Sequence, residues 1–212
     1  MRPLLGFGLL VSFAQLADFL YAPTDYILIN RLLDPAMGSV YAPAVQIDSA
    51  LLLIVVAIGN VLLPKTVVAH VDGNLSLVRQ YYARGTIASM LLLSLAALLV
   101  WVLSRQIFTL WLGDPSPATQ AILPLILIHT VVGGSSAVGR SILLGMGKVK
   151  PFTIAVLVAG VSNVVLSYSF VRFGGMGLSG IVLGTICAVV GRCAIWQPWY
   201  VWRCLKQSPT AE

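Results

Sequence analysis

Charge is what this sequence has least of. Of 212 residues only 9% are Asp, Glu, Lys or Arg, against roughly a quarter in an ordinary soluble domain. So few charges cannot cover a globular surface, which excludes a soluble enzyme and a soluble nucleic-acid-binding domain alike. Nucleic acid is excluded a second time by arrangement. The 13 Lys and Arg that leave a net charge of +6 are scattered in ones and twos and form no basic stripe. Cysteine is equally sparse: Cys187, Cys193 and Cys204 fall in the last apolar segment without CxxC spacing. That pattern supports neither a metal nor a disulfide framework and reads as small packing residues. His70 and His129 have no Glu or second His at metal-ligand spacing, and no nucleophile has a base at a defensible separation. Neither metal chemistry nor an intramembrane enzyme is expected, and no cofactor is implied.

What is abundant is hydrocarbon. Residues of the AVILMFWYC set make up 58% of the chain, and the mean hydropathy is +0.95. A helix needs about 20 mainly apolar residues to cross a bilayer, and six stretches qualify: 4–30, 39–64, 84–107, 117–143, 152–172 and 176–202. The expected fold is an all-α integral membrane protein, with 1–207 as a single six-helix unit and 208–212 as a short cytoplasmic tail. Met1-Arg2 and the apolar run behind it have the form of a signal peptide, but the run continues through Phe19-Leu20-Tyr21 to Ile27-Leu28-Ile29 and so predicts a spanning helix. Turn chemistry separates the spans at Leu33-Asp34-Pro35, His70-Val71-Asp72-Gly73-Asn74, Gly113-Asp114-Pro115-Ser116-Pro117, Gly147-Lys148-Val149-Lys150-Pro151 and Gly174-Gly175-Met176-Gly177. Gly, Ala, Ser and Thr are mixed among Leu and Val as in packed bundle helices, without the alternating pattern of outer-membrane strands.

The basic residues give the orientation. With the N-terminus inside, Arg2, Lys65, Arg79, Arg84, Arg140, Lys148, Lys150, Arg203 and Lys206 collect on the cytoplasmic side, Arg31, Arg105 and Arg172 lie outside, and Arg192 remains within a span. This bias predicts two cytoplasmic termini. Trp196, Trp199, Tyr200 and Trp202 beside Arg203, and Trp101, Phe108 and Trp111 at the end of the third span, fit the two interfacial belts.

An ionisable side chain near the bilayer centre costs about 2.5–3.5 kcal/mol on insertion scales, so one that persists normally faces protein, a partner or water. Four lie well inside spans: Asp18, Asp25, Asp48 and Arg192. Asp18 and Asp25, seven residues apart, share a helical face. Measured from the outer ends of their helices at about 1.5 Å per residue, Asp25, Asp48 and Asp18 overlap in depth and converge on one cavity in the outward half. One reading is a cation or proton site, because carboxylates crowded in a low-dielectric space repel one another's charge. The other is structural: Asp25 and Asp48 hydrogen-bond across helices or cap a break at Pro23, and Arg192 neutralises one of them. Arg192 is equally suited to an anionic substrate group. Arg140, Lys148 and Lys150 are expected to be headgroup and topology charges. Pro23, Pro43 and Pro64 are placed to bend helices around a cavity. Gly133-Gly134-Ser135-Ser136-Ala137 predicts a close helix contact and not a phosphate loop. The Asn74-Leu75-Ser76 sequon is expected to stay unmodified on the cytoplasmic side.

The order of several marks resembles a known family. Asp25-Tyr26-Ile27-Leu28-Ile29-Asn30-Arg31-Leu32-Leu33 ends the first span, Met37-Gly38-Ser39-Val40-Tyr41-Ala42-Pro43-Ala44 opens the second, and Val61-Leu62-Leu63-Pro64 closes it. Phe108-Thr109-Leu110-Trp111-Leu112-Gly113, Leu143-Leu144-Gly145-Met146-Gly147-Lys148 and Gly174-Gly175-Met176-Gly177-Leu178-Ser179-Gly180 follow in order. Together they resemble the polysaccharide flippases of the multidrug, oligosaccharidyl-lipid and polysaccharide exporter superfamily. That resemblance implies one six-helix lobe, similar to the second, of a two-lobe exporter in the bacterial inner membrane. It implies alternating access around a central cavity that takes a lipid-linked oligosaccharide, with ion coupling. A second lobe is then required as partner, either another copy, a separately encoded half, or the remainder of a longer chain. Asp25 falls on the family's Asp-bearing helix end, whereas Asp18, Asp48 and Arg192 rest on depth alone. A drug or cation exporter of the same superfamily and a non-transporting scaffold of a polysaccharide synthesis complex are the competing readings.

Overall fold

In the computed structural model, residues 22–113 and 116–206 are described, and every regular element among them is helical. These are α1 (Ala22–Leu32), α2 (Met37–Val71), α3 (Leu75–Val102), α4 (Ser104–Leu112), α5 (Pro117–Ser135), α6 (Ala137–Gly145), α7 (Val149–Arg172), α8 (Gly177–Val189), a π-helical segment (Val190–Trp196) and α9 (Gln197–Lys206). Five helical stretches are long and apolar enough to span a membrane: Met37–Val71, Leu75–Val102, Pro117–Gly145, Val149–Arg172 and Gly177–Lys206. The chain is thus an all-α, multi-pass membrane protein. Six spans were expected. The described part of the first, 4–30, is α1 alone, and its earlier residues, Asp18 with them, lie outside the described residues, as does the tail 208–212.

The helices alternate in direction, which sorts the charges to two ends. Lys65, Arg79, Lys148, Lys150, Arg203 and Lys206 gather at what is here termed the basic end, with Arg31, Arg105 and Arg172 at the other. Two turns at the basic end are built alike. Gly73 and Gly147 both have φ +71°. Their amides donate to the carbonyls of His70 and Leu144, and the next amides, Asn74 and Lys148, reach back to Ala69 and Leu143 at 2.8 Å. This is the Schellman ending, which needs a left-handed residue and therefore glycine. Asn74 then accepts from the Leu77 amide at 3.1 Å and caps α3.

Two expected span boundaries move for one physical reason. The second span was read as 39–64 and the third as 84–107, whereas α2 runs on to Val71 and α3 begins at Leu75. Lys65, Arg79 and Arg84 end the apolar stretch, but charge does not interrupt a backbone hydrogen-bond ladder, so both helices continue past the bilayer. At about 1.5 Å per residue the 35 residues of α2 reach about 52 Å, well beyond the roughly 30 Å hydrocarbon core. Pro43 and Pro64 both lie inside this continuous helix.

The buried apolar side chains form two clusters. One, toward the Arg31 end, includes Ile29, Leu51, Leu93, Phe108, Leu123 and Ile181; the other, toward the basic end, includes Val78, Ile142, Phe152, Val156 and Val201. Between them the helices lose regularity: α5 gives way to α6 at Ser136, and the last span is π-helical from Val190 to Trp196. The two irregularities are joined, since Gln197 donates to the Ser136 carbonyl at 2.6 Å. The close contact expected at Gly133-Gly134 is present. A Cβ at Gly134 would lie 2.5 Å from Leu93 Cδ1 and 3.0 Å from Leu52 Cδ2, so α5 packs hard on α2 and α3. The outward faces carry Leu53, Leu91, Leu95, Val158 and Ile195, all exposed, as a lipid-facing surface requires.

Gly184 sets the spacing of α7 and α8, because a Cβ there would meet the Ser167 backbone, with Cα at 2.7 Å. Gly184→Ala is expected to destabilise the bundle by about 1–3 kcal/mol despite the roughly 1 kcal/mol gain in helix propensity. Gly38→Ala, with nothing within 4 Å of the added atom, carries the propensity gain without the clash and serves as the control. Thermal unfolding of the two variants in detergent checks this.

Candidate functional site

At the level of the irregular helices lies a cavity of about 330 Å³ whose lining includes Asp25, Asp48, His129, Arg140, Thr185 and Arg192. It is bounded by α1, α2, α5, α6 and α8 with the π segment, so residues from distant parts of the sequence meet in one space. Of the residues singled out from sequence, Asp25, Asp48 and Arg192 are brought together here, while Asp18 lies outside the described residues. Arg140 corrects the expectation that it is a headgroup charge. Its guanidinium lies 5.7 Å from the centre of the Phe152 ring and it lines the cavity, carried by the short helix that begins after Ser136.

Asp25 is completely buried and is held by three other helices. Tyr41 of α2 donates to its Oδ2 at 2.9 Å, Thr185 of α8 to the same oxygen at 2.8 Å, and Asn163 of α7 to Oδ1 at 3.1 Å. Isolating a carboxylate from water is costly unless donors replace the hydration shell, and here protein supplies them. The arrangement is not confined to one pattern of bonds. Thr185 has a single hydroxyl proton, yet Asn163 Oδ1 lies 2.9 Å and the Ile181 carbonyl 3.3 Å from its oxygen. It therefore has an alternative acceptor if Asp25 takes up a proton or cation. Ser167 is likewise within 3.2 Å of Asn163 Oδ1 and 3.1 Å of the Ile181 carbonyl. Tyr26 packs edge-on to Tyr41 with ring centres 5.2 Å apart, fixing the phenol that faces Asp25.

Asp48 is held differently. Thr130 donates to its Oδ1 at 2.6 Å, and His129 Nδ1 stands 3.5 Å from the same oxygen. Thr130 also lies 2.8 Å from the Ile126 carbonyl, so it too has a second acceptor within its own helix. Depth separates the signs of charge. At about 1.5 Å per residue, Asp25 and Asp48 sit about 10 and 16 Å from the Arg31-end termini of their helices, Arg192 about 22 Å, and Arg140 farther still. The cavity is acidic toward one end and basic toward the other.

Sequence reasoning passed over Tyr41, Asn163, Thr130 and Thr185 as site residues, and treated His129 only as a metal candidate. Asn163 carried a legible signal, an amide in the middle of an apolar span where an unsatisfied polar group is expensive. The threonines carried none, because a helical Thr routinely satisfies itself on the carbonyl four residues back. The structural and functional readings of the two aspartates do not exclude one another: both are hydrogen-bonded across helices and both line the cavity.

Comparisons with known proteins bear on this fold. The MatE family profile matches residues 11–169. An uncharacterized membrane protein of Bacillus subtilis (strain 168), EpsK, is 27% identical over 195 residues that cover 91% of this chain and 38% of the relative. The crystal structure of the Vibrio cholerae MATE transporter VcmN in the bent form superposes with a TM-score of 0.79 at 19% identity, over 98% of this chain and 48% of that one. The chain therefore spans well under two thirds of the length of either.

Tyr41→Phe removes one of the three donors to Asp25 while keeping the ring that packs on Tyr26. It is expected to cost about 0.5–3 kcal/mol, the range that spans hydrogen bonds to neutral and to charged groups. Chemical unfolding in detergent, compared with the wild-type chain, measures it.

Proposed function

The chain belongs to the MatE family, and from that premise we propose that it is one lobe of a membrane transporter, and no enzyme, working by alternating access with a second lobe. The observation that carries this reading is the charge-divided cavity, with Asp25 and Asp48 toward one end and Arg140 and Arg192 toward the other. Charged groups of both signs are retained inside a lipid-exposed bundle when they face a solvated path. In this reading Asp25 and Asp48 take the coupling ion or proton. Asp18, seven residues before Asp25 in the sequence, is a further carboxylate proposed for that site. Arg140 and Arg192 receive an anionic substrate group.

The substrate proposed is a lipid-linked oligosaccharide, flipped across the bacterial inner membrane with the basic end in the cytoplasm. Two guanidinium groups suit the paired phosphates of such a molecule, since Arg engages phosphate oxygens in bidentate fashion. The ordered motifs from Asp25 through Gly180 support the same choice. The second lobe is a further copy of this chain, a separately encoded half, or the rest of a longer protein. A second reading, export of a drug or small cation, is favoured by the carboxylates and by His129 beside Asp48.

Reconstitution in vesicles tests both readings. Asp25→Asn and Arg192→Gln are each expected to lower the initial flipping rate of a labelled polyprenyl-diphosphate sugar by about tenfold or more, the effect of about 1.4 kcal/mol. Wild-type rates in both variants defeat the reading. Cation efflux that needs Asp25 but not Arg192 transfers the protein to the second reading, and an inert wild-type chain that still binds polysaccharide-synthesis enzymes makes it a scaffold.

A further inference from the structure

Arg192 borders a second space besides the central cavity. Between α7 and the last span runs a groove of about 600 Å³, walled by Ile154, Val158, Leu166, Cys187, Gly191 and Trp199 among others, with Arg192 also in its lining. Its walls are otherwise almost wholly apolar, and Ile154, Val158 and Trp199 are exposed. The groove opens to the surface that faces lipid. We propose that it seats the long hydrocarbon chain of a polyprenyl-type lipid whose phosphate headgroup reaches the Arg192 side of the central cavity. This rests on the reading of the cavity as a substrate site and specifies how an amphipathic substrate would lie in it.

Three observations favour that occupant. The polar cavity and the apolar groove share Arg192 as a common wall, so a molecule with an anionic head and an apolar tail bridges them without burying charge in the groove or hydrocarbon in the cavity. The wall is irregular where they meet. The last span is π-helical from Val190 to Trp196, a widening that is frequent at functional sites, and a Cβ at Gly191 would meet nothing within 4 Å. Length is the third. From Pro151 to Leu166, both lining the groove, α7 rises about 22 Å. Arg192, about 22 Å from the outer end of its span, lies part-way along that length, so the groove offers apolar wall to a tail on either side of the headgroup. At the basic end the groove finishes on stacked aromatics, Trp196 and Tyr200 with ring centres 5.1 Å apart, and on Trp199, over which the Arg203 guanidinium sits at 5.5 Å. This is the composition expected where a lipid meets the interface.

Photo-labelling of the 212-residue chain in phosphatidylcholine vesicles tests the proposal. The probes are a diazirine-bearing polyprenyl diphosphate, the corresponding neutral polyprenol, and diazirine-bearing phosphatidylcholine. The expected result is labelling by the diphosphate within peptides of α7 and of Cys187 to Tyr200, competed by unlabelled polyprenyl phosphate. It should fall several-fold in Gly191→Leu, whose added side chain grows into the groove. Arg192→Gln should weaken the diphosphate probe and leave the polyprenol unchanged. A matching unfolding temperature for Gly191→Leu separates an occupied groove from a damaged fold. Equal, uncompeted labelling by phosphatidylcholine means bulk lipid only and overturns the proposal, as does labelling confined to other helices. Equal labelling by polyprenol and diphosphate overturns the link to Arg192. Loss of flipping with retained, competed labelling would defeat the transport reading and spare the groove. Retained flipping without labelling would do the reverse.

Discussion

A buried carboxylate held by side chains of three other helices organises this bundle. Asp25 belongs to α1, and its hydrogen-bond partners come from α2, α7 and α8, so three helices share the task that solvent performs elsewhere. Apolar packing between membrane helices is weakly selective, because lipid offers nearly the same contacts. Polar pairing is more selective, since a misplaced donor or acceptor in hydrocarbon is left unsatisfied. The register of α1 against α7 and α8 is thus fixed less by the surrounding valines and leucines than by Asp25, Asn163 and Thr185. The close approach of Gly184 to Ser167 lets Thr185, one residue on, come within reach of Asp25.

The cavity follows from the helices' departures from regularity. A bundle of uninterrupted α-helices would continue one apolar core from end to end. Here the core divides into two clusters at the level where α5 yields to α6 and the last span becomes π-helical. Gln197, donating to the Ser136 carbonyl, couples the two interruptions and supplies a donor where the helix break frees an acceptor. The shared threonine protons at Asp25 and Asp48 place readily exchanged hydrogen bonds in the same region. Two packed halves flank a middle layer whose polar groups have more than one pattern of hydrogen bonds open to them.

The fold was legible in the sequence because lipid imposes a coarse constraint: about 20 apolar residues, punctuated by turns. Leu33-Asp34-Pro35 and the glycines at 73 and 147 marked their turns correctly. Helix ends were less legible, as α2 and α3 show, because the bilayer boundary and the helix boundary obey different physics. Asp25, Asp48 and Arg192 stood out by the expense of burying them. Their partners did not, since Thr130 and Thr185 look in sequence like any other helical threonine, and no periodicity announces that Tyr41 and Asn163 face the same oxygen pair. Arg140 was grouped with Lys148 and Lys150 as a headgroup and topology charge, whereas it lines the cavity beside Phe152.

The overhang of α2 has a mechanical corollary. From Asp48 in the cavity wall to the turn at Gly73 the chain rises some 35 Å as nearly unbroken helix, a stiff arm with its pivot at the buried acid and its tip in water. A rocking of about 10° about that pivot would sweep the tip through about 6 Å. The hairpin at Gly73 is therefore a natural pointer, magnifying small displacements deep in the membrane into distances that a pair of spectroscopic labels can resolve.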